Sequence, residues 1–345
     1  MFDNEEMKVP RRKFLRMVGM GAGAVALAAC APVAAPTTAP APAAAATTAP
    51  VASTGKKYKV GYSCCSWTIP WQVVYKQMFE NEMKKYPNIE IIWNDANFDN
   101  KAMVDAMEGW ISQKVDMILD FPLDHVAMIE TYKKAMAAGI PVLLTMDPPA
   151  YPAREFVTGH SGLNGWDGSR ECAELLDAAM GSKGNIGYVT APKGSSSEML
   201  YTEGFLVTLQ RLKSGIQIVA TEDGNWDVDT SYQKASDILT KFPKLDAFYT
   251  TDDYMGGGII RALKEKGYQP GQVKMICQGA SKQGISDMKD GWYIAIVDQG
   301  PELCAPQDAW FVHALLEEGR TLPHEAMVLQ ELITKDNINS FIPTW

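Results

Sequence analysis

From Lys56 onward, short apolar runs of β-forming residues alternate with amphipathic helical windows, and no other feature of the chain restricts its fold as much. The first runs cover residues 58–64, 89–94, 117–121 and 142–145, with helical windows at 71–85, 101–113 and 126–138 between them. Strands joined through helices cannot pair as hairpins. The order β-α-β-α-β-α-β therefore predicts a parallel sheet with helices on both faces. A second series follows Gly162, with strands at 185–190, 216–220, 247–250, 274–278 and 293–297 and helices at 165–180, 198–212, 230–242, 256–266 and 281–290. The same kind of α/β lobe is encoded twice, and about 290 residues suffice for two cores.

The first 30 residues read as an export signal. Arg11, Arg12, Lys13, Phe14 and Leu15 form a twin-arginine pattern, and an uncharged Gly/Ala-rich stretch runs on to Cys30. That stretch is too short to span a bilayer core of about 30 Å. Leu27, Ala28, Ala29 and Cys30 resemble a lipobox, so Cys30 is expected to carry a lipid; the alternative is an ordinary signal peptide with an incidental cysteine. Residues 31–55 hold no charge and consist mainly of Ala, Pro and Thr, a composition that cannot bury a core and suits an extended disordered tether. The expected location is the cell envelope, in the periplasm or on the outer face of the cytoplasmic membrane.

Charge narrows the partners. The formal net charge is −9. Residues 1–30 carry five Lys/Arg and three Asp/Glu, so the chain without them stands at about −11 by the same counting. Nucleic acid needs a basic face, and no Lys/Arg cluster is present. Cysteines 64, 65, 172, 277 and 304 lack paired CxxC spacing, so they are expected as buried packing residues, with one disulfide possible in an oxidising compartment. No metal or cofactor is expected. There is no GxSxG, Walker or HExxH motif, and the four histidines are scattered, with His125 and His160 expected at solvated loop positions. An enzyme is not expected.

In open parallel sheets the ligand site lies beyond the carboxyl ends of the strands. Polar and aromatic residues gather there: Ser66, Trp67 and Trp71 after the first strand, Asp120 and Asp124 after the third, Met146 and Asp147 after the fourth. The second series contributes Trp226 and Asp227, then Thr251, Asp252 and Asp253, then Gln278, then Asp298 and Gln299. Two facing sets imply a cleft.

The segments KVGYS with Trp67 to Trp71, AMAAGIPVLLTMD (135–147), FPKLDAFYTTDDYMGGGIIRALKEKG (242–267) and IAIVDQGP (294–301), in that order and spacing, resemble the type I periplasmic binding proteins of the ribose, galactose and xylose group. The resemblance covers essentially residues 56–338. It implies two doubly wound parallel-sheet lobes joined by a three-strand hinge: residues 56–162 with 300–330, and 163–299 with 331–345. The first crossover would lie near residues 161–164, the second just after Gln299 and the third near 329–332. A helix near 306–318 would belong to the first lobe.

By the same resemblance Trp67 and Trp71 match aromatic ligand contacts of the first loop, and Trp226 an aromatic from the other lobe. Flat indoles suit the apolar face of a sugar ring. The alternative for Trp71 is to open a helix and pack in its lobe, and Trp67 shares it. Asp147, Asp252 and Gln299 match polar contacts, Asn164 keeps a position often Asn, and Gln278 stands where an aspartate is usual. Asp252 also suits the cap of the following helix, and at least one of Asp252 and Asp253 is expected at the ligand. Met199 or Glu198 stands where ribose binders carry an arginine, and Pro148 replaces another, so ribose contacts do not transfer directly.

The implied function is the substrate-binding component of an ABC importer, a monomer that closes on a sugar or polyol and presents it to a membrane permease. Two alternatives keep the binding cleft: a receptor for a chemotaxis or sensor-kinase system, and a binder of a nucleoside, furanosyl signal or small amide. A repressor of the same fold would need an N-terminal helix-turn-helix where the export signal is read.

Overall fold

A computed structural model of the chain describes residues 55–345 apart from Asp147 and Ala150. The expected export signal with Cys30, residues 31–54 of the expected tether and the candidate contact Asp147 lie outside the described residues.

Lobe one begins with β1 (Tyr58–Cys64), α1 (Pro70–Met83), β2 (Ile89–Asp95), α2 (Asn100–Gln113), β3 (Met117–Phe121), α3 (Ile129–Ala137), β4 (Val142–Met146) and β5 (Gly159–Gly162). Lobe two holds α4 (Gly165–Met180), β6 (Lys183–Thr190), α5 (Ser196–Arg211), β7 (Gly215–Asp223), α6 (Val228–Lys241), β8 (Ala247–Thr250), α7 (Asp253–Glu265), β9 (Lys274–Gly279), α8 (Lys282–Lys289) and β10 (Tyr293–Asp298). The chain then adds α9 (Pro301–Leu316), β11 (Glu325–Met327) and β12 (Leu332–Ile333).

The two sheets run β11-β5-β4-β3-β1-β2 and β12-β10-β9-β8-β6-β7. All neighbours are parallel except β10 with β12. Central strands MILDF and VLLTM are buried along their whole length, as strands covered by helices on both faces must be. In β1, Val60, Tyr62 and Cys64 enter one apolar core with Phe79 of α1 and Val312 of α9, while Gly61 faces α2. A Cβ on Gly61 would stand 2.3 Å from the Trp110 ring, so only glycine lets α2 lie this close. Burying a side chain such as Phe79 contributes about 1.5–3 kcal/mol, which is what keeps these layers together.

The helix expected at 306–318 begins earlier, at Pro301. Proline at the first helical position lacks only a donor that no helix would use there, and Pro306 is carried within the helix just beyond the first turn. α9 packs on α1 in lobe one, since Ala305, Ala309 and Val312 share a core with Tyr75 and Phe79. Cysteines 64, 65, 172, 277 and 304 are all buried in the cores of the lobes. His125 and His160, expected on solvated loops, are instead buried, at 1% and 0% exposure. The His160 ring packs under β4, its Nε2 3.0 Å from the carbonyl oxygen of Met146.

Three connections pass between the sheets: from β5 to α4, from β10 to α9, and from β11 to β12. They are laced together by the amide of Val328 donating to Gly162 at 2.9 Å and that of Asp298 donating to Glu331 at 2.7 Å. In each sheet the strand order reverses beside β1 or β6, and the crevice belongs at that point.

Candidate functional site

A cavity lies where the loops of both reversal points meet. Lobe one lines it with Ile69, Trp71, Gln72, Phe121, Leu123 and Met146; lobe two with Ser195, Ser197, Tyr201, Trp226 and Asp252. Gln299 enters from the second crossover, and Trp345 from the end of the sequence. The empty space is about 560 Å³, counting its open mouth. The lobes nearly meet.

Each ring is held by its own surroundings. Trp71 stacks on Tyr75 at 5.2 Å and 15°, and its indole N–H donates to the carbonyl of Gln299, tying lobe one to the crossover. Tyr75 in turn donates to Asp308 of α9 at 2.5 Å, so the stack stands on a buried polar chain. Trp226 meets Tyr201 edge-on at 6.2 Å and 89°. Its φ of 53° is left-handed, a conformation uncommon for so large a residue, and Met146 on the opposite wall has φ 71°. Strain of this kind collects at binding sites, where surrounding structure holds a side chain in place.

Lobe two supplies most of the polar groups, with Gln72 the polar contribution of lobe one. Asp252 caps α7, accepting from the amide of Met255 at 2.6 Å, and also lines the cavity. Burial pushes its carboxyl up to about 7, against the pull of the cap, and the neighbouring Asp253 adds to the rise. Gln299 donates to Gln278 at 2.9 Å, and Gln278 donates to Ser169 at 2.9 Å, which fixes the orientation of both amides. Among the described residues lining the cavity there is no Lys, Arg or His.

Of the residues expected from the sequence, Trp71, Trp226, Asp252 and Gln299 meet at the cavity. Trp67 does not line it: its N–H donates to the Asn94 carbonyl at 2.8 Å, and its ring packs edge-on against Tyr62 and Trp93 at 5.2 and 5.0 Å. Ser66 is buried against Thr68 at 2.8 Å. Asp120 lies under the sheet end, accepting from Tyr132 at 2.7 Å, with burial pushing it up to about 8. Asp253 accepts from the Ser281 amide at 2.7 Å inside lobe two, and Gln278 stands behind Gln299. Asn164 caps α4 and borders a separate groove beside the crossovers, with Gln330. Neither Met199 nor Glu198 lines the cavity; Met199 is exposed and Glu198 accepts from Thr202 at 3.0 Å.

The sequence reading missed Gln72, Ser195, Ser197, Tyr201 and Trp345. Gln72 follows Trp71 in α1, Ser197 and Tyr201 flank Glu198 and Met199 in α5, and Ser195 is the N-cap of α5. Trp345 carried no local signal.

A family model for the periplasmic binding protein domain matches residues 60–321. A xylitol-binding protein of Mycolicibacterium smegmatis is 26% identical over 256 residues, which cover 74% of this chain and 71% of that protein. A D-ribose/D-allose-binding protein of Pseudomonas aeruginosa is 28% identical over 233 residues, 66% of this chain and 71% of that one. The myo-inositol-binding protein of Caulobacter, solved with myo-inositol bound, superposes with a TM-score of 0.77 at 21% identity, covering 83% of this chain and 96% of that one. At that identity the likeness speaks for the fold.

Proposed function

The chain belongs to the periplasmic binding protein domain family, and from that premise we propose that it is the substrate-binding component of an ABC importer, taking a neutral sugar or polyol into the cleft. The observation that carries this is the placement of Trp71 and Trp226 on opposite lobes of a cavity that Asp252 and Gln299 also line, with no cationic residue among the described residues of its wall. Rings cover the apolar faces of a hydroxylated ligand, and carboxylate and amide oxygens accept from its hydroxyls. The relatives named for xylitol and for ribose and allose support this ligand class.

Binding works through closure. A ligand touching both walls makes all its contacts only when the lobes are together, so it draws the population toward the closed form, whose surface a permease can recognise. The role is that of a binder, not a catalyst, and of a monomer. Export through the twin-arginine leader and anchoring through a lipid on Cys30 complete the reading: the tether of residues 31–55 lets the lobes stand away from the membrane. Mass spectrometry of the cell-derived chain checks the anchor, since a diacylglyceryl mass on Cys30 is required.

The ligand is tested by thermal-shift screening against pentoses, hexoses, polyols and nucleosides. A ligand at a hundred times its Kd adds about 2.7 kcal/mol of stability, an easily read shift. If no sugar or polyol raises the melting temperature, the sugar reading fails; a rise with nucleosides alone replaces it.

A further inference from the structure

Trp345 belongs to neither sheet, yet its indole lines the cavity with Trp71, Tyr201, Trp226 and Gln299. Its backbone is held in lobe two, where its carbonyl accepts from the amide of Lys282 at 2.7 Å at the start of α8. The Lys282 ammonium also donates to the carbonyl of Thr344 at 3.2 Å. On the other side the Thr344 hydroxyl donates to Glu302 of α9, and the Trp345 ring packs against the apolar core of lobe one. One residue thus reaches across the cleft.

The Trp345 indole N–H is buried without an acceptor. Buried Trp N–H groups usually find a partner, so this donor marks a place where an acceptor oxygen belongs. The Trp71 N–H, by contrast, is already taken by Gln299. We propose that Trp345 is a ligand-contacting, specificity-determining residue: its N–H donates to an oxygen of the bound sugar or polyol while its ring covers an apolar face. The assignment rests on the sugar or polyol reading of the cleft. It also makes Trp345 a reporter of closure, because its backbone and its ring belong to different lobes.

The test is calorimetric titration of the full chain, Trp345→Phe and Trp345→Ala with D-ribose, D-allose, xylitol and myo-inositol. Phe keeps a ring and removes the donor, so its best ligand should bind about tenfold more weakly, and Ala more weakly still. The unliganded melting temperature of Trp345→Phe should stay within about 2 °C of the unaltered chain. Monodeoxy analogues of the best ligand then separate contact from support. One analogue, lacking the oxygen that receives the N–H, should bind the unaltered chain and Trp345→Phe equally.

Equal affinity of Trp345→Phe and the unaltered chain for every ligand overturns the assignment and leaves the sugar reading intact. So does a uniform loss across all analogues, which is the mark of a purely structural role. If the unaltered chain binds none of the four, the sugar reading and this assignment fall together.

Discussion

The amide of Ser196 donates to the carbonyl of Leu123 at 3.1 Å, and the hydroxyl of the same serine accepts from the amide of His125 at 2.9 Å. These bonds join the first turn of α5 in lobe two to the loop after β3 in lobe one, on the rim of the cavity. Ser196→Ala removes one of them and leaves the backbone bond. A hydrogen bond of about 0.5–1.5 kcal/mol converts to a two- to twelvefold loss of the closed population and, by linkage, of ligand affinity. Small-angle scattering and titration should move together; a variant with unchanged affinity and unchanged radius of gyration removes this contact from the closing mechanism.

Trp226 offers a separation of stability from binding. Its left-handed backbone is unfavourable for a bulky side chain and natural for glycine. Trp226→Gly is expected to leave the melting temperature unchanged or raised while ligand affinity falls at least about tenfold, given the area a Trp ring contributes. A parallel fall in both would mean that the ring supports the lobe and not the ligand.

Trp71 and Trp67 should behave oppositely, although both stand on the loop after β1. Trp67→Phe loses the bond to Asn94 and an edge contact, so it should lower stability by about 1–2 kcal/mol with little change in affinity. Trp71→Phe loses the link to Gln299 inside the cavity and should weaken binding by about five- to tenfold. Chemical denaturation and titration of the two variants decide the matter, and the reverse pattern would return Trp67 to the ligand site.

Affinity should depend on pH through Asp252. Burial holds its carboxyl at about 7, and ligand hydroxyls donate best to the ionised form, so binding is expected to strengthen as pH rises from 5.5 to 8.5. Asp252→Asn keeps a cap residue of equal quality and should abolish that dependence. A pH profile that survives the substitution assigns the titration to another group.

Stability of the unliganded chain should fall between pH 6.5 and 8.5. Burial raises Asp120 to about 8 and Asp298 and Asp308 to about 7, so these carboxyls bind protons more readily folded than unfolded. What they contribute is complete below the ordinary carboxylate range and is lost as pH rises through 7–8. His125 and His160, lowered by burial to about 3 and about 4, contribute fully above 6.5 and weaken the fold only on acidification, so they do not mask the alkaline loss. Asp120→Asn keeps an acceptor for Tyr132 and should flatten the decline; a melting temperature level from pH 6.5 to 8.5 in the unaltered chain contradicts the burial argument.

The elements were largely legible because period carries them. MILDF at 117–121 and AFYT at 247–250 are β-forming runs between helical windows, and both are strands over those residues. Gly159–Gly162 was not legible as a strand, since GHSG has no β-branched or aromatic residue. It is extended because β4 and β11 pair with it on either side. The site was legible only in part. Asp252 and Asp253 are adjacent, yet the first turns to the cavity and the second to the Ser281 amide, a choice made by the loop after β9.

The sequence alone determined that there are two parallel-sheet lobes and that polar and aromatic residues gather at their strand ends, because side-chain period and strand-helix alternation are local properties of a chain. Which of those residues face the ligand was decided by the tertiary structure. Trp67 is turned away by Asn94 and Trp93, Trp71 is turned in by Gln299 from 228 positions along the chain, and Trp345 arrives from its far end. Hydrogen bonds and ring contacts between remote segments set those orientations, and no local pattern records them.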